Sequence, residues 1–542
     1  MRALALAAVI ACGPPRLVGQ QPSWRKPSPP TVVAPVTFAP SSAAASEYNA
    51  RGELPPHSAL GDAVMVEVDK AAAERHLTPP VADPRLFRAC EELAEIVPES
   101  GMIDYDLEAF ALQRNGIIEP SPHMVTVWGD VGVPGPMIDQ LRPLLGDMLA
   151  EGATAVGIGA ARRRPDGSGV VVFAMQPSSI HTAPIPRSVA AGGAFAIDAT
   201  IDAKYHDPEV FVTRDDGSVE RIPVEPHGAA FKTRVPCDRH RGKQQLEITA
   251  TGAQGSTVLA NFPVWCGAEP PRSMTIDVTA DDGAPVTPDD AERRLLALAN
   301  RDRAAAGLPG LIWDDRIAAV ARKYSEEMRT TKIVAHVSAI SGSVVDRLKA
   351  AGITSSVVLE NVARDYSVVG AHEGLMNSPG HRANLLSATA THIGIGVAYG
   401  DEVAGRREMF LTQVFIRIPP KVDPGRASDL VRQRIEAVRR VGVDPTLSAI
   451  AQTVADGLAS GKSRDDLWPA ARKRLDAGPG DYARVGSAVL AVADLDSVDA
   501  KDLLSGYKPD AIGIGIAQGN HPEIGEGAIW IVVLMAERPT KP

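Results

Sequence analysis

The pattern that most constrains this chain is a short hairpin that occurs three times. Residues 391–415 read THIGIGVAYGDEVAGRREMFLTQVF, residues 154–176 read TAVGIGAARRRPDGSGVVVFAMQ, and residues 510–535 read DAIGIGIAQGNHPEIGEGAIWIVVLM. Each places apolar runs on either side of a polar, glycine-containing stretch, the pattern of two strands joined by a loop. Each opens on a glycine pair, Gly157/Gly159, Gly394/Gly396 or Gly513/Gly515, whose missing side chains let another backbone or a bound group approach closely. Three copies imply three units of one architecture. The first and second copies lie about twice as far apart as the second and third, which leaves room for an inserted unit.

The rest of the chain divides around these hairpins, because 542 residues exceed what one hydrophobic core organises. Residues 1–12, MRALALAAVIAC, are too short to span a bilayer and read as an export signal; Val9 to Cys12 resemble a lipobox, which would make Cys12 a lipidated first residue. An ordinary signal peptide is the alternative. The Pro/Ser/Ala-rich residues 13–61 read as an extended tether. Residues 62–180 carry helical periodicity before the first hairpin, an α+β unit. Residues 188–271 switch to short alternating runs separated by turn signals, the pattern of an immunoglobulin-like β-sandwich. Within it Cys237 and Cys266 can pair as a disulfide, whereas Cys90 sits in a helical apolar pattern as a buried thiol. Residues 285–420 and 427–542 again place helices before a hairpin. The net charge of −10, with no basic stripe, excludes an unspecific nucleic-acid binder.

Polar chemistry collects near the middle copy alone. His336, Glu360, Glu373 and His381 each lie near the edge of an element; two imidazoles with carboxylates bind zinc or another divalent cation, or relay protons. Helix capping and surface hydrogen bonding are the competing explanation. Asn361, Asn377 and Asn384 read as hydrogen-bonders that fix loops, and Gln413 as a final-strand residue in or beside the same place. His372 is expected to face solvent. Trp313 and Tyr324 are expected in the core, on one buried helix face with Ile317, Val320 and Met328.

The ordered series LLALANRDRAAAGLPGLIWDDRIAAVARKYSEEM, AH, LENVA, LMNSPGHRANLL, THIGIGVA and LTQVF resembles the bacterial branch of the CAP superfamily, the cysteine-rich secretory, antigen 5 and pathogenesis-related 1 group. It covers residues 289–417. The resemblance implies an α-β-α sandwich with a central cleft lined by two histidines and acidic residues. His336, Glu360 and His381 match the two histidines and one acid. Glu373 lies near the second acidic position, which in relatives falls closer to Ser378. Leu359 replaces a glycine, and Leu375 and Leu411 stand where tryptophan is common. The first and last units, lacking this set, read as degenerate CAP-like copies, with His123 following a helix much as His336 does; an independent α+β origin is the alternative.

The expectation is therefore a multidomain α+β protein, exported and secreted or held at the cell envelope through Cys12. Its cleft would bind a metal, lipid, glycan or protein partner. The competing function is a metal-dependent hydrolase, a peptidase or cell-wall enzyme, with Glu360 as base and the histidines holding a metal-bound water.

Overall fold

The computed structural model describes residues 32–539 apart from 51, 55–57, 98–102, 104, 121, 238–240, 280–286, 404–405, 479–481 and 505. Cys12 and the export signal lie outside the described residues.

Three four-stranded sheets share one strand order. In the first it is Val81–Ala82, Ala155–Arg162, Ser168–Gln176, His123–Asp130; in the second Ile312–Trp313, His392–Val403, Arg406–Ile416, Val358–Asp365. The third runs Gly442–Val443, Ala511–His521, Gly525–Glu537, Arg484–Val492. In each, a two-residue strand lies parallel to the hairpin's first strand, and a longer strand lies antiparallel to its second. The glycine pairs explain how a helix lies on this surface. A Cβ at any of the six would stand 2.1 to 2.5 Å from a backbone atom of Pro84–Ala94, Asp315–Thr331 or Pro445–Ala459. Helix and strand backbones meet there with no side chain between them.

The helices begin where their capping residues predict. Thr287 Oγ1 accepts from Asp290 N–H to start Pro288–Ala305, and Asp314 accepts from the N–H groups of Arg316 and Ile317 to start Asp315–Thr331. Ile317, Val320, Tyr324 and Met328 are buried on that second helix, as their spacing requires. Trp313 instead belongs to the short strand before it, because the Asp314 cap fixes the start one residue later.

Between the first and second of these sheets stands an all-β unit of two sheets. One runs Glu225–His227, Ala230–Pro236, Ala194–Ile201, Ile180–Thr182; the other runs Val219–Ile222, His206–Thr213, Gly242–Gly252, Gly255–Cys266, Ser188–Val189. A disulfide joins Cys237, just past a strand of the first sheet, to Cys266 at the end of a strand in the second, with Cα atoms 5.4 Å apart. Cys90 is a free, buried cysteine packed beneath Gly159.

The stretch read as a tether is, from residue 32 onward, part of the fold. Val32–Phe38 pairs with Met274–Thr279, and Tyr48 is fully buried in the β unit's core, donating to the Pro263 carbonyl at 2.6 Å. Composition there suggested an extended tether, but Phe38 and Tyr48 are buried in the cores they meet. Among the described residues, no helix is long and apolar enough to cross a membrane.

Candidate functional site

The site is built around Glu360 on the outer strand Val358–Asp365, where its carboxylate is almost wholly removed from solvent. Oε2 meets Nδ1 of His336 at 3.0 Å, and Oε1 forms an ion pair with Nη2 of Arg347. Arg347 comes from the short helix Val344–Ala350, which the capping box of Ser343 and Asp346 orients. Its guanidinium donates to the Gly342 carbonyl at 2.6 Å, and its carbon lies 3.5 Å from the centre of the Tyr324 ring. Tyr324 donates to the Ala335 carbonyl, which holds the chain just before His336. Burial pushes the Tyr324 phenol up to about 12, so it serves as a donor and not as a charge.

His381 completes the pair from the helix Pro379–Leu385, its ring centre 6.2 Å from that of His336 at an interplanar angle of 37°. Loss of hydration, and secondarily the charge of His336, pushes its imidazolium down to about 3. The ring is thus neutral at ordinary pH. Its carbonyl accepts from Asn361 Nδ2 at 3.2 Å, and Asn361 Nδ2 also reaches Gln413 Oε1 at 3.1 Å. Asn384 Nδ2 donates to Asn361 Oδ1 at 2.9 Å and to the Glu360 carbonyl at 3.1 Å. This amide network ties two strands to the histidine helix. Gln413 is fully buried beneath it, with Nε2 left without a hydrogen-bond partner.

His336, Glu360, His381, Asn361, Asn384 and Gln413 are therefore brought together. Other candidates face elsewhere. Asn377 donates to Asp106, and its carbonyl accepts from Asn261, so it serves contacts with the first unit and the β unit. Glu373 acts on Arg301, a guanidinium held charged by Asp302 first and by Glu373 as well. His372, expected in solvent, is buried with Nε2 2.7 Å from Asp302 Oδ2. Its helix buries Val368, Ala371 and Leu375, and His372, next to Ala371, is turned inward with them against Pro288–Ala305. His123 comes after the helix Tyr105–Arg114, as His336 comes after Asp315–Thr331, but it opens the strand His123–Asp130 and meets Glu151.

Two contributors were not foreseen. Arg347 carries no signal in sequence, since its partner becomes local only when its helix folds over the strand. Glu247, on the β-unit strand Gly242–Gly252, is the second. Buried, it accepts from Gly380 N–H at 2.8 Å and from the Ser378 hydroxyl. Burial, opposed by those two hydrogen bonds, pushes its carboxyl up to about 7. The turn after this strand touches the other histidine: Val337 N–H donates to the Gln254 carbonyl at 3.0 Å, and a Cβ on Gly255 would stand 3.1 Å from His336 Cβ.

The donor set does not complete a zinc centre. Glu360, beside the histidines, already has both oxygens engaged, one by a permanent cation. Among the described residues, no three His, Cys, Asp or Glu side chains gather as metal ligands.

A four-stranded sheet packed against helices carries the two histidines, their rings close together beside a buried glutamate. The profile of the CAP family, the cysteine-rich secretory protein family, matches residues 296–415, so the chain carries a CAP domain there. It is 40% identical over 108 residues to the uncharacterized membrane protein YlbC of Bacillus subtilis, covering 20% of this chain and 31% of that one. It is 33% identical over 114 residues to the uncharacterized protein YkwD of the same organism, covering 21% and 44%. The match thus spans less than half the length of either relative. Among solved structures, an extracellular protein containing an SCP domain from Bacillus anthracis aligns at 19% identity over 44% of this chain and 87% of its own, with a TM-score of 0.22. An outer surface protein of Borrelia burgdorferi aligns at 17% identity over 25% of this chain and 98% of its own, also with a TM-score of 0.22.

Proposed function

We propose that this chain is an exported binding protein whose CAP cleft captures a ligand of the cell envelope or its surroundings, a lipid, glycan or protein partner. The observation that carries this reading is the state of Glu360. A general base must reach substrate, and the Glu360 carboxylate is almost wholly buried with one oxygen on Arg347 and the other on His336. The residue instead fixes His336 and leaves a half-buried imidazole pair as the recognition surface. Export rests on the Cys237–Cys266 disulfide, which suits an oxidising compartment, and on the short apolar run at residues 1–12. Cys12 is its point of lipid attachment; a mass spectrum of membrane-extracted protein without a diacylglycerol-modified Cys12 would remove that part.

The first and last helix-and-sheet units are degenerate CAP-like copies in this reading, retained as scaffolds, and the β unit is an immunoglobulin-like module. The common strand order and glycine packing support the former, the two-sheet arrangement the latter.

The test is co-sedimentation of the full chain with anionic phospholipid vesicles and with isolated peptidoglycan, beside a His336→Ala/His381→Ala variant. Binding to either that falls at least about tenfold in the variant supports the cleft. Equal binding by the variant would reject it. Turnover of peptidoglycan or unfolded protein that disappears in Glu360→Ala, with or without added zinc, would establish the hydrolase instead.

A further inference from the structure

The β unit presents an unusual face to the CAP domain. Along Gly242–Gly252, Leu246, Ile248 and Ala250 enter the β unit's own core, so Gln245, Glu247 and Thr249 alternate onto the opposite face. Such a polar face ordinarily meets water. Here all three are buried, and Glu247 is almost fully so. The helix Pro379–Leu385 packs on this strand, and the residues before it reach Asn261 and Glu247.

The covering contacts are specific. Gln245 Nε2 donates to Asn261 Oδ1 at 2.7 Å, and Asn261 Nδ2 donates to the Asn377 carbonyl at 3.1 Å. Glu247 takes the next two groups along the same segment, the Ser378 hydroxyl and Gly380 N–H. Ser378 precedes the helix yet makes no side-chain bond to it, because its hydroxyl is turned to Glu247. Gly380 leaves room for the same contact: a Cβ there would stand 2.7 Å from Glu247 Oε1 and would displace that carboxylate. The residue after Gly380 is His381. Its own carbonyl is held from the other side by Asn361, and the residue after His336 is held by Gln254. Both histidines thus have a neighbouring peptide group pinned by the β unit.

We propose that the β unit is a wall of the CAP cleft and that Glu247 is a positioning residue for His381, setting the separation of the two imidazoles. This rests on reading the histidine pair as the recognition surface. It also gives the inserted module a role beyond that of a spacer, since the cleft geometry of the CAP domain is then set by residues of another domain.

The experiment uses the full chain without any ligand, so its outcome is independent of whether the binding reading holds. Hydrogen exchange of the segment 378–382 and the rate of His381 carbethoxylation by diethyl pyrocarbonate are measured in wild type, Glu247→Ala, Glu247→Gln and Ser378→Ala. Loss of the acceptor in Glu247→Ala should speed exchange of the segment about tenfold and raise His381 reactivity several-fold, while residues 392–416 keep their wild-type protection. Glu247→Gln keeps an oxygen for Gly380 N–H and an amide for Ser378, and should stay within about twofold of wild type. Ser378→Ala should fall between. Wild-type exchange and reactivity in Glu247→Ala would overturn the proposal, as would acceleration spread evenly over the CAP sheet. Should Glu247→Ala fail to fold, Ser378→Ala decides: faster exchange at 379–382 supports the proposal, and an unchanged rate overturns it.

Discussion

The middle helix-and-sheet unit and its two neighbours have the same strand order and the same glycine contacts, yet they differ in what the sheet carries at one register. In the middle unit Gly394 pairs with Val414, and Val414 pairs with Glu360. The corresponding chain of pairs in the first unit is Gly157, Ala174, Met124, and in the last unit Gly513, Leu534, Ser487. One step along, Gln413 and Asn361 are matched by Phe173 and Val125 in the first unit and by Val533 and Ala488 in the last. The backbone scaffold is shared, and the buried polar set is confined to one copy. A buried carboxylate and amides are costly without partners, so they persist where Arg347, His336 and Asn384 satisfy them.

The sharpest way to break this comparison is through the scaffold. Gly396→Val and Gly515→Val each force a side chain into a helix backbone, and each should cost more than about 4 kcal/mol in urea unfolding. Tolerance at one position and loss at the other would show that the two packings are not equivalent.

Next in size is Glu360→Met, which installs the residue found at the first unit's register. It leaves the Arg347 guanidinium buried and unpaired, and should destabilise by about 3–5 kcal/mol. Adding Arg347→Met should recover most of that loss. If the single variant is as stable as wild type, the ion pair does not organise the middle unit.

The β unit's contact adds a pH dependence of its own. Folded Glu247 keeps its proton up to about pH 7, whereas an ordinary glutamate loses it near 4.5. The folded state therefore binds the proton more tightly, and this contribution is fully present below pH 4.5 and lost as pH rises through 7. Stability should fall across that window by at most about 3 kcal/mol, and Glu247→Gln should flatten the slope. Tyr105 is the titratable group felt beside it, and burial holds that phenol far above the range concerned.

The smallest effect is expected for Asn361→Val, again the first unit's residue. It removes the donor to Gln413 and the His381 carbonyl, and should cost about 1–2 kcal/mol. Faster exchange confined to the helix Pro379–Leu385 would mark the amide network as specific support for the histidine.

Local pattern carried much of this organisation. The three hairpins, the helices before them, the Cys237–Cys266 pairing and the approach of His336, Glu360 and His381 were all legible. The hairpins and helices depend on periodicity and capping, the cysteine pairing on two thiols in one β-rich stretch, and the histidine–glutamate set on the resemblance to the CAP family. Arg347 and Glu247 were not legible because the charge they balance or the peptide they hold lies elsewhere in sequence. Glu247 was further disguised by strand alternation, which assigns it to water. His372 failed for a smaller reason: its helix Val368–Asn377 has no exposed face, and one position of rotation separates the half-buried Glu373 from a ring held against the Asp302 carboxylate.

What the sequence by itself determined was the repeated scaffold and the identity of the polar residues in its middle copy, because glycine spacing and hydrophobic period act over a few residues. Tertiary structure decided which charges neutralise Glu360, which of two adjacent helix residues turns inward, and which domain holds the peptide before His381. Those are effects of burial, and burial exists only once distant segments have closed over one another.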